Sequence, residues 1–202
     1  MIKLNFDVKK HILKNGLEVI TIKKNTQISS INIGIKVGAL NETLEEKGIS
    51  HFIEHMIFKG TENRTFQRLN DELESLGGEY NAYTDYSQTV YSISCLEEEF
   101  INGIELLSDM LINSKLPEEE VDKERGVILA EIRSSKDSVE DFSFKRINEV
   151  AFEHSALKYD VAGLDENVKN FTRDQLYSYY KKYYVPNNSL ITMVSSREHD
   201  DA

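Results

Sequence analysis

The chain has 202 residues, a formal net charge of −11 and only one cysteine. The acidic balance argues against a nucleic-acid-binding protein, which needs clustered Lys and Arg, and a single cysteine excludes an internal disulfide framework. With 40% hydrophobic residues, two prolines and no apolar run of the ~20 residues that a membrane helix needs, the chain is predicted to bury one substantial core without a membrane span.

Alternating and helical hydrophobic patterns predict a mixture of strands and helices. In chain order these are strands at 10–14, 17–23 and 31–37, helices at 48–60 and 65–76, strands at 79–84 and 89–96, helices at 98–113, from 117 onward and at 140–153, a helix from 172 that ends before 186, and a strand at 189–194. Asn15-Gly16 is a strong signal for a two-residue hairpin between the first two strands.

Hairpin strands mixed with clustered helices predict an α+β fold, in which helices pack on one face of a mainly antiparallel sheet. We expect residues 1–202 to form a single domain, with 195–202 as a polar tail or the start of a linker. Cys95 lies on the apolar side of an alternating strand and is interpreted as a small buried hydrophobe. The first seven residues carry no signal-peptide pattern, so we expect a cytoplasmic location.

The most specific chemical signal in the chain is the run His51-Phe52-Ile53-Glu54-His55. Successive residues of an α-helix turn by about 100°, so the two histidines and the glutamate share an arc of roughly 100°. A zinc ion that hydrolyses amides needs nitrogen ligands, an anionic ligand, a position for water and a base. H-x-x-E-H is the inverted form of the H-E-x-x-H zinc-protease motif and would supply two ligands and the base.

Taken alone, the motif has a plain alternative. An amphipathic surface helix could carry His, Glu and His on its polar face by chance, with Phe52, Ile53, Met56 and Ile57 on the apolar face. The five residues therefore do not decide between a metal site and a solvated helix face.

Further segments favour the metal site over the solvated helix face. They are residues 48–61, 76–78, 81–84, 89–91, 124–132, 163 and 183–188. In order and spacing these segments resemble the pitrilysin or insulinase family (M16) of zinc peptidases, in particular the branch that contains the mitochondrial processing peptidases and their bacterial relatives. The resemblance covers almost the whole chain.

The resemblance implies a role for each matching position. His51 and His55 would bind Zn²⁺ and Glu54 would be the base that activates water. Glu131, which follows His55 by 76 positions, would be the third ligand, and Glu124 would support the site from the same face of its helix. Asn81 and Ala82 match an edge strand along which family members lay the substrate backbone.

From the residues alone the third ligand stays open, because other carboxylates lie at unknown distances from the histidines; these are Glu74, Glu79, Asp85 and Glu97–Glu99. A solvated helix face explains Glu118 to Glu120 well, since acidic groups are favoured at a helix N-terminus. It explains Glu131 poorly, because this residue lies in the apolar run 127–132, where burial of an unpaired carboxylate would be costly.

The resemblance also bears on partners and substrates. Members of this branch run to roughly twice this length, with two halves or two subunits around a chamber, and the second half supplies an arginine–tyrosine pair that nothing here matches. We therefore expect a zinc endopeptidase domain that acts on oligopeptides or unfolded segments and needs a second half, a partner subunit or a homodimer for full activity. An edge strand that pairs with peptide backbones makes little demand on side-chain sequence.

Two other functions compete. S-ribosylhomocysteine lyase shares an H-x-x-E-H metal helix but uses two cysteines, whereas this chain has only Cys95. A non-catalytic peptide-binding or assembly subunit, like the peptidase-related core proteins of respiratory complexes, is the main alternative. Such relatives commonly lack parts of the metal motif, and every position of it is present here.

Overall fold

A six-stranded sheet organises the fold in the computed structural model, which describes residues 6–201. The strands are β1 (Asp7–Ile12), β2 (Glu18–Lys23), β3 (Ile28–Ile35), β4 (Glu79–Thr84), β5 (Thr89–Leu96) and β6 (Ser189–Ser195). Their spatial order is β1-β2-β6-β3-β5-β4, and all neighbours are antiparallel except β2 and β6. Residues 1–5, which form most of the segment without a signal-peptide pattern, lie outside the described residues.

Helices cover one face of this sheet. They are α1 (Ile49–Ile57), α2 (Phe66–Ser75), α3 (Phe100–Ile112), α4 (Glu118–Asp137), α5 (Val139–Ala151), α6 (Asp165–Asn170) and α7 (Arg173–Tyr183). The predicted α+β fold with a mainly antiparallel sheet is confirmed. No helix within residues 6–201 has both the length and the apolar content that crossing a membrane requires.

The core lies between the sheet and the helices, and strict alternation along the central strands builds it. On β3, Ile31, Ile33 and Ile35 are buried, while the residues between them are only partly covered. Tyr91 and Ile93 do the same on β5, and Cys95 continues this buried row as expected for a small hydrophobe. Because side chains alternate between the two faces of a strand, this pattern fixes which face meets the helices.

The first hairpin differs from the prediction. β1 ends at Ile12, which pairs with Glu18, so the loop is longer than the two residues inferred from Asn15-Gly16. The Leu13 N–H donates to the Leu17 carbonyl at 2.9 Å and closes this wider loop. Gly16 has a φ of +87°, so the glycine signal correctly located the turn but not its length.

The polar C-terminal segment contacts the sheet. Ser195 is the last residue of β6 rather than part of a tail. Beyond it, His199 Nδ1 lies 2.7 Å from Thr21 Oγ1, and Asp200 pairs with Lys9 at 2.6 Å. Residues 198–200 therefore contact β1 and β2, whereas Arg197 pairs with Glu97 after β5.

Two glycines allow a close contact at the start of α1. Gly48 precedes this helix with a φ of +101°, and Gly163 has a φ of +86° in the loop that packs on it. A Cβ on Gly163 would lie 2.3 Å from the Gly48 Cα and 2.3 Å from the Lys47 carbonyl oxygen. Only a glycine fits at position 163, and this allows the loop before α6 to pack directly against the N-terminus of α1.

We expect Gly163→Ala to lower the free energy of unfolding by roughly 2–4 kcal/mol, since a positive φ and a backbone overlap both penalise a Cβ. Gly126→Ala is the control: this glycine lies within α4 with open space around it. There alanine should raise stability by about 0.5–1 kcal/mol. Urea unfolding of both variants measures the difference, and similar effects of the two substitutions would contradict the close contact.

Candidate metal centre

The motif residues lie on α1, whose two faces differ sharply. Phe52, Ile53 and Met56 are fully buried in the core. His51 and His55 lie on the opposite side, and each ring retains 17% of its exposure. The apolar face therefore anchors the helix by burial, and this fixes the direction of the histidines.

The second component of the site is α4, which packs against α1. Val121, Ile128 and Ile132 recur on one side of α4 and are buried. The same spacing brings Glu124 and Glu131, seven residues apart, to the surface that faces the histidines. Helix packing thus joins residues that are far apart in the sequence.

Three donor atoms converge where the two helices meet. Glu131 Oε2 lies 3.8 Å from His51 Nε2 and 3.5 Å from His55 Nε2. One ligand atom from each of the three residues lies within 4.8 Å of the others. In a tetrahedral zinc site with bonds of 2.0–2.2 Å, ligand atoms are roughly 3.3–3.6 Å apart. The donor set fits a zinc ion, and the two distances to Glu131 lie within a few tenths of an ångström of the tetrahedral spacing.

Glu131 is not buried as its apolar sequence neighbours suggested. Its side chain is 47% exposed, and Val127 in the same run is exposed too. The expectation of a costly buried carboxylate was wrong, because this side of α4 borders an open cleft rather than the core. Its proximity to the two imidazoles, and not burial, is therefore what distinguishes Glu131 from the other carboxylates of α4.

Glu124 supports His55 directly. Its Oε2 lies 3.1 Å from His55 Nδ1, and its Oε1 accepts from Lys59 Nζ at 2.7 Å. Burial would raise the pKa of Glu124, but the hydrogen bonds from His55 and Lys59 lower it further than burial raises it. A hydrogen bond from the second ring nitrogen orients a metal-binding imidazole and strengthens it as a ligand.

The two histidines have different electrostatic surroundings. Burial, with a smaller contribution from His55, lowers the pKa of His51 to about 4. Burial also opposes the charge on His55, but the hydrogen bond with Glu124 and the charge of Glu131 outweigh it and raise its pKa. His51 is therefore neutral at pH 7, which is the form that binds a metal.

Glu54 lies beside this cluster and contacts β4. Its Oε2 accepts a hydrogen bond of 2.6 Å from Thr84 Oγ1. Burial raises the pKa of Glu54, the hydrogen bond from Thr84 opposes this rise, and the charge of Glu131 adds to it. A carboxylate that is partly desolvated and held by one donor is suited to accepting and releasing a proton.

A cleft of about 580 Å³ opens in front of the cluster, and His51, Glu54 and Glu131 form part of its wall. Ala82 of β4 borders the same cleft, and β4 is an edge strand of the sheet. Asn81 is exposed, and its Oδ1 accepts a hydrogen bond of 2.9 Å from the Ala82 N–H. The structure thus places both predicted substrate-binding residues on the free edge beside the metal centre.

Sequence reasoning gave no role to three residues that take part in the site. Lys59 follows His51 and His55 at helical spacing, which could have indicated its contact with Glu124. Thr84 shares a strand face with Ala82, which could have placed it near the cleft. Lys145, which pairs with Asp160 at 2.6 Å in the cleft wall, had no signal in the sequence.

Comparison with known proteins gives a consistent result. The family model described as insulinase (peptidase family M16) matches residues 18–165. An uncharacterized zinc protease of Rickettsia felis is 36% identical over 98% of this chain and 48% of its own length. A probable mitochondrial-processing peptidase subunit beta of Arabidopsis thaliana is 34% identical over 94% of this chain and 36% of its own.

A solved structure shows the same fold. A protease from Helicobacter pylori superimposes with a TM-score of 0.92 at 26% identity, over 97% of this chain and 48% of that protein. The chain spans between about a third and a half of the length of these three relatives. Since the family model covers most of the chain and relatives above 30% identity span nearly all of it, the chain belongs to the insulinase family, peptidase family M16.

Proposed function

We propose that this chain is the metal-binding domain of a zinc-dependent endopeptidase with an inverted H-x-x-E-H motif. The observation that carries the proposal is the convergence of His51, His55 and Glu131 within 4.8 Å, beside Glu54 and a free strand edge. The names of the relatives, zinc protease and processing peptidase, support the same activity.

Each residue of the site has a separate role in amide hydrolysis. His51, His55 and Glu131 would hold the zinc ion, which would supply Lewis acidity and lower the pKa of water towards ~7. Glu54 accepts the proton of the attacking water and returns it to the leaving amine, and Thr84 holds the carboxylate in place for both transfers. Glu124 fixes the ring of His55 through Nδ1.

The substrate is proposed to be an extended peptide that adds itself to β4. An edge strand presents unpaired backbone N–H and C=O groups, so a peptide gains main-chain hydrogen bonds with little demand on its side chains. Asn81 and Ala82 lie on this edge, directly beside the cleft that contains Glu54. Oligopeptides and unfolded segments fit this surface better than folded proteins.

Glu54→Gln should retain zinc and lower peptide hydrolysis by at least ~10²-fold, because general acid–base catalysis contributes about 10²–10⁴. His55→Ala should lose the metal as well as the activity, since it removes one ligand and leaves Glu124 without its partner. Zinc content after dialysis and cleavage of a quenched fluorescent peptide measure the two effects.

Glu118→Gln, at an exposed position at the start of α4, is the matched control and should change neither quantity. Full hydrolysis by Glu54→Gln would contradict its role as the base. Zinc binding without any hydrolysis by the unmodified chain, even with a second half present, would favour the alternative of a non-catalytic peptide-binding or assembly subunit.

A second half-domain or partner subunit is proposed to close over the cleft. Helix α5 supports this, because Lys145 and Asn148 are its partly buried residues at the cleft, while its large apolar side chains are exposed. Lys145 pairs with Asp160 in the cleft wall, whereas Val139 and Val150 are 82% and 76% exposed. Phe142 and Ile147 extend the same outward surface. An apolar helix face beside an active-site cleft is typical of a protein interface.

The test uses a fusion protein. It joins this chain to the part of the Rickettsia felis relative that does not align with it. We expect peptide hydrolysis to rise by about 10²–10³, the usual effect of a preorganised oxyanion donor. The Val139→Lys/Val150→Lys double variant should lose most of this gain and keep its zinc. Ile101→Lys, on an exposed position of α3, is the control. An equal gain in all variants would remove α5 from the interface, and no gain would contradict the need for a second half.

A further inference from the structure

The metal helix has no capping side chain at its N-cap position. Gly48 is the residue before α1, and it has no side chain that could accept from the first N–H groups. A Cβ at this position would lie 2.7 Å from the Ala162 carbonyl oxygen and 2.9 Å from the Gly163 Cα, so the usual Ser, Thr or Asp cap has no room. The free N–H groups of this helix end therefore need an acceptor from elsewhere in the chain.

Glu42 provides that acceptor from an earlier loop. Its Oε2 accepts from the Gly48 N–H at 3.0 Å and its Oε1 accepts from the Ser50 N–H at 2.9 Å. The residue is only 6% exposed, so water does not compete strongly for these hydrogen bonds. A negative charge at a helix N-terminus is also favoured by the helix dipole.

His51 lies in the first turn of α1. The position of the His51 ring depends more strongly on the backbone of this turn than the position of the His55 ring does on its own turn. His55 Nδ1 is oriented by Glu124, whereas His51 Nδ1 is buried and has no hydrogen-bond partner among residues 6–201. The ring of His51 therefore takes its orientation from packing and from the turn that bears it. Glu42 holds the residue directly before it, Ser50.

We propose that Glu42 is a positioning residue for the metal centre. Its two hydrogen bonds fix the first turn of α1, and they thereby hold His51 Nε2 at 3.8 Å from Glu131 Oε2. The inference rests on the proposed zinc site, and it adds a residue outside the motif that sets the affinity of the site for zinc. Ser50 supports the same turn through its Oγ, 3.1 Å from Tyr179 Oη on α7.

The test compares the full chain with Glu42→Gln, which keeps the side-chain size but replaces one acceptor oxygen by an NH₂ donor. Zinc affinity is measured by competition with a chromophoric chelator. Hydrogen exchange at the Gly48 and Ser50 amides is measured on the metal-free chain. We expect a zinc dissociation constant about 10–100 times higher, the usual effect of losing an outer-shell contact, and faster exchange at one or both amides.

Asp109→Asn is the matched control. Asp109 is also a buried carboxylate, but it accepts from Thr61 and Arg64, and within residues 6–201 it has no hydrogen bond to a residue of the metal centre. This variant should lower the melting temperature and leave the zinc dissociation constant unchanged. Equal zinc affinity in the wild type and Glu42→Gln, or equal losses in Glu42→Gln and Asp109→Asn, would overturn the inference.

If Glu42→Gln does not fold, Glu42→Asp replaces it, because aspartate keeps the charge but is one methylene too short to reach both N–H groups. Tenfold weaker zinc binding by this variant supports the positioning role, and unchanged binding overturns it. A wild-type chain without zinc affinity contradicts the proposed function itself and removes the inference with it. A wild type that binds zinc as tightly as its Glu42 variants contradicts the inference alone.

Discussion

The packing of α4 across α1 is the constraint on which the site depends. A divalent ion needs several donors around one point, and α1 supplies two of the three grouped donors, His51 and His55. The third donor, Glu131, comes close only because both helices bury apolar residues against a common core, Phe52 and Met56 from α1 and Ile128 from α4. Burial of side chains that never touch the metal thus determines the distance between those that would.

The negative charge of the cluster favours binding of a cation. Glu54, Glu124 and Glu131 lie close together, and the charge of Glu131 already raises the pKa of Glu54. Lys59 offsets one of the three charges through Glu124. A divalent cation between the imidazoles and Glu131 would offset another and would favour the ionised form of its carboxylate neighbours. The same positive charge would favour deprotonation of water beside Glu54.

Much of the fold could be predicted from sequence because it follows local rules. The alternation at Ile31, Ile33 and Ile35 gave β3, and the spacing of His51, Glu54 and His55 gave one face of α1. Contacts between residues far apart in the sequence could not be predicted from such local rules. Periodicity could not choose Glu131 among many carboxylates, and the family resemblance chose it instead. The expected burial of Glu131 was wrong, since sequence neighbours do not reveal which side of a helix borders a cleft. Glu42 had no signal at all, because it caps α1 from six residues before the usual capping position, Gly48.

The most direct measurement is diffraction from crystals of the zinc-loaded chain at the zinc absorption edge. The account predicts one dominant anomalous peak at about 2.0–2.2 Å from the Nε2 atoms of both histidines and from a carboxylate oxygen of Glu131. A peak bound elsewhere, or a zinc-loaded chain in which Glu131 points away from His51 and His55, would contradict it.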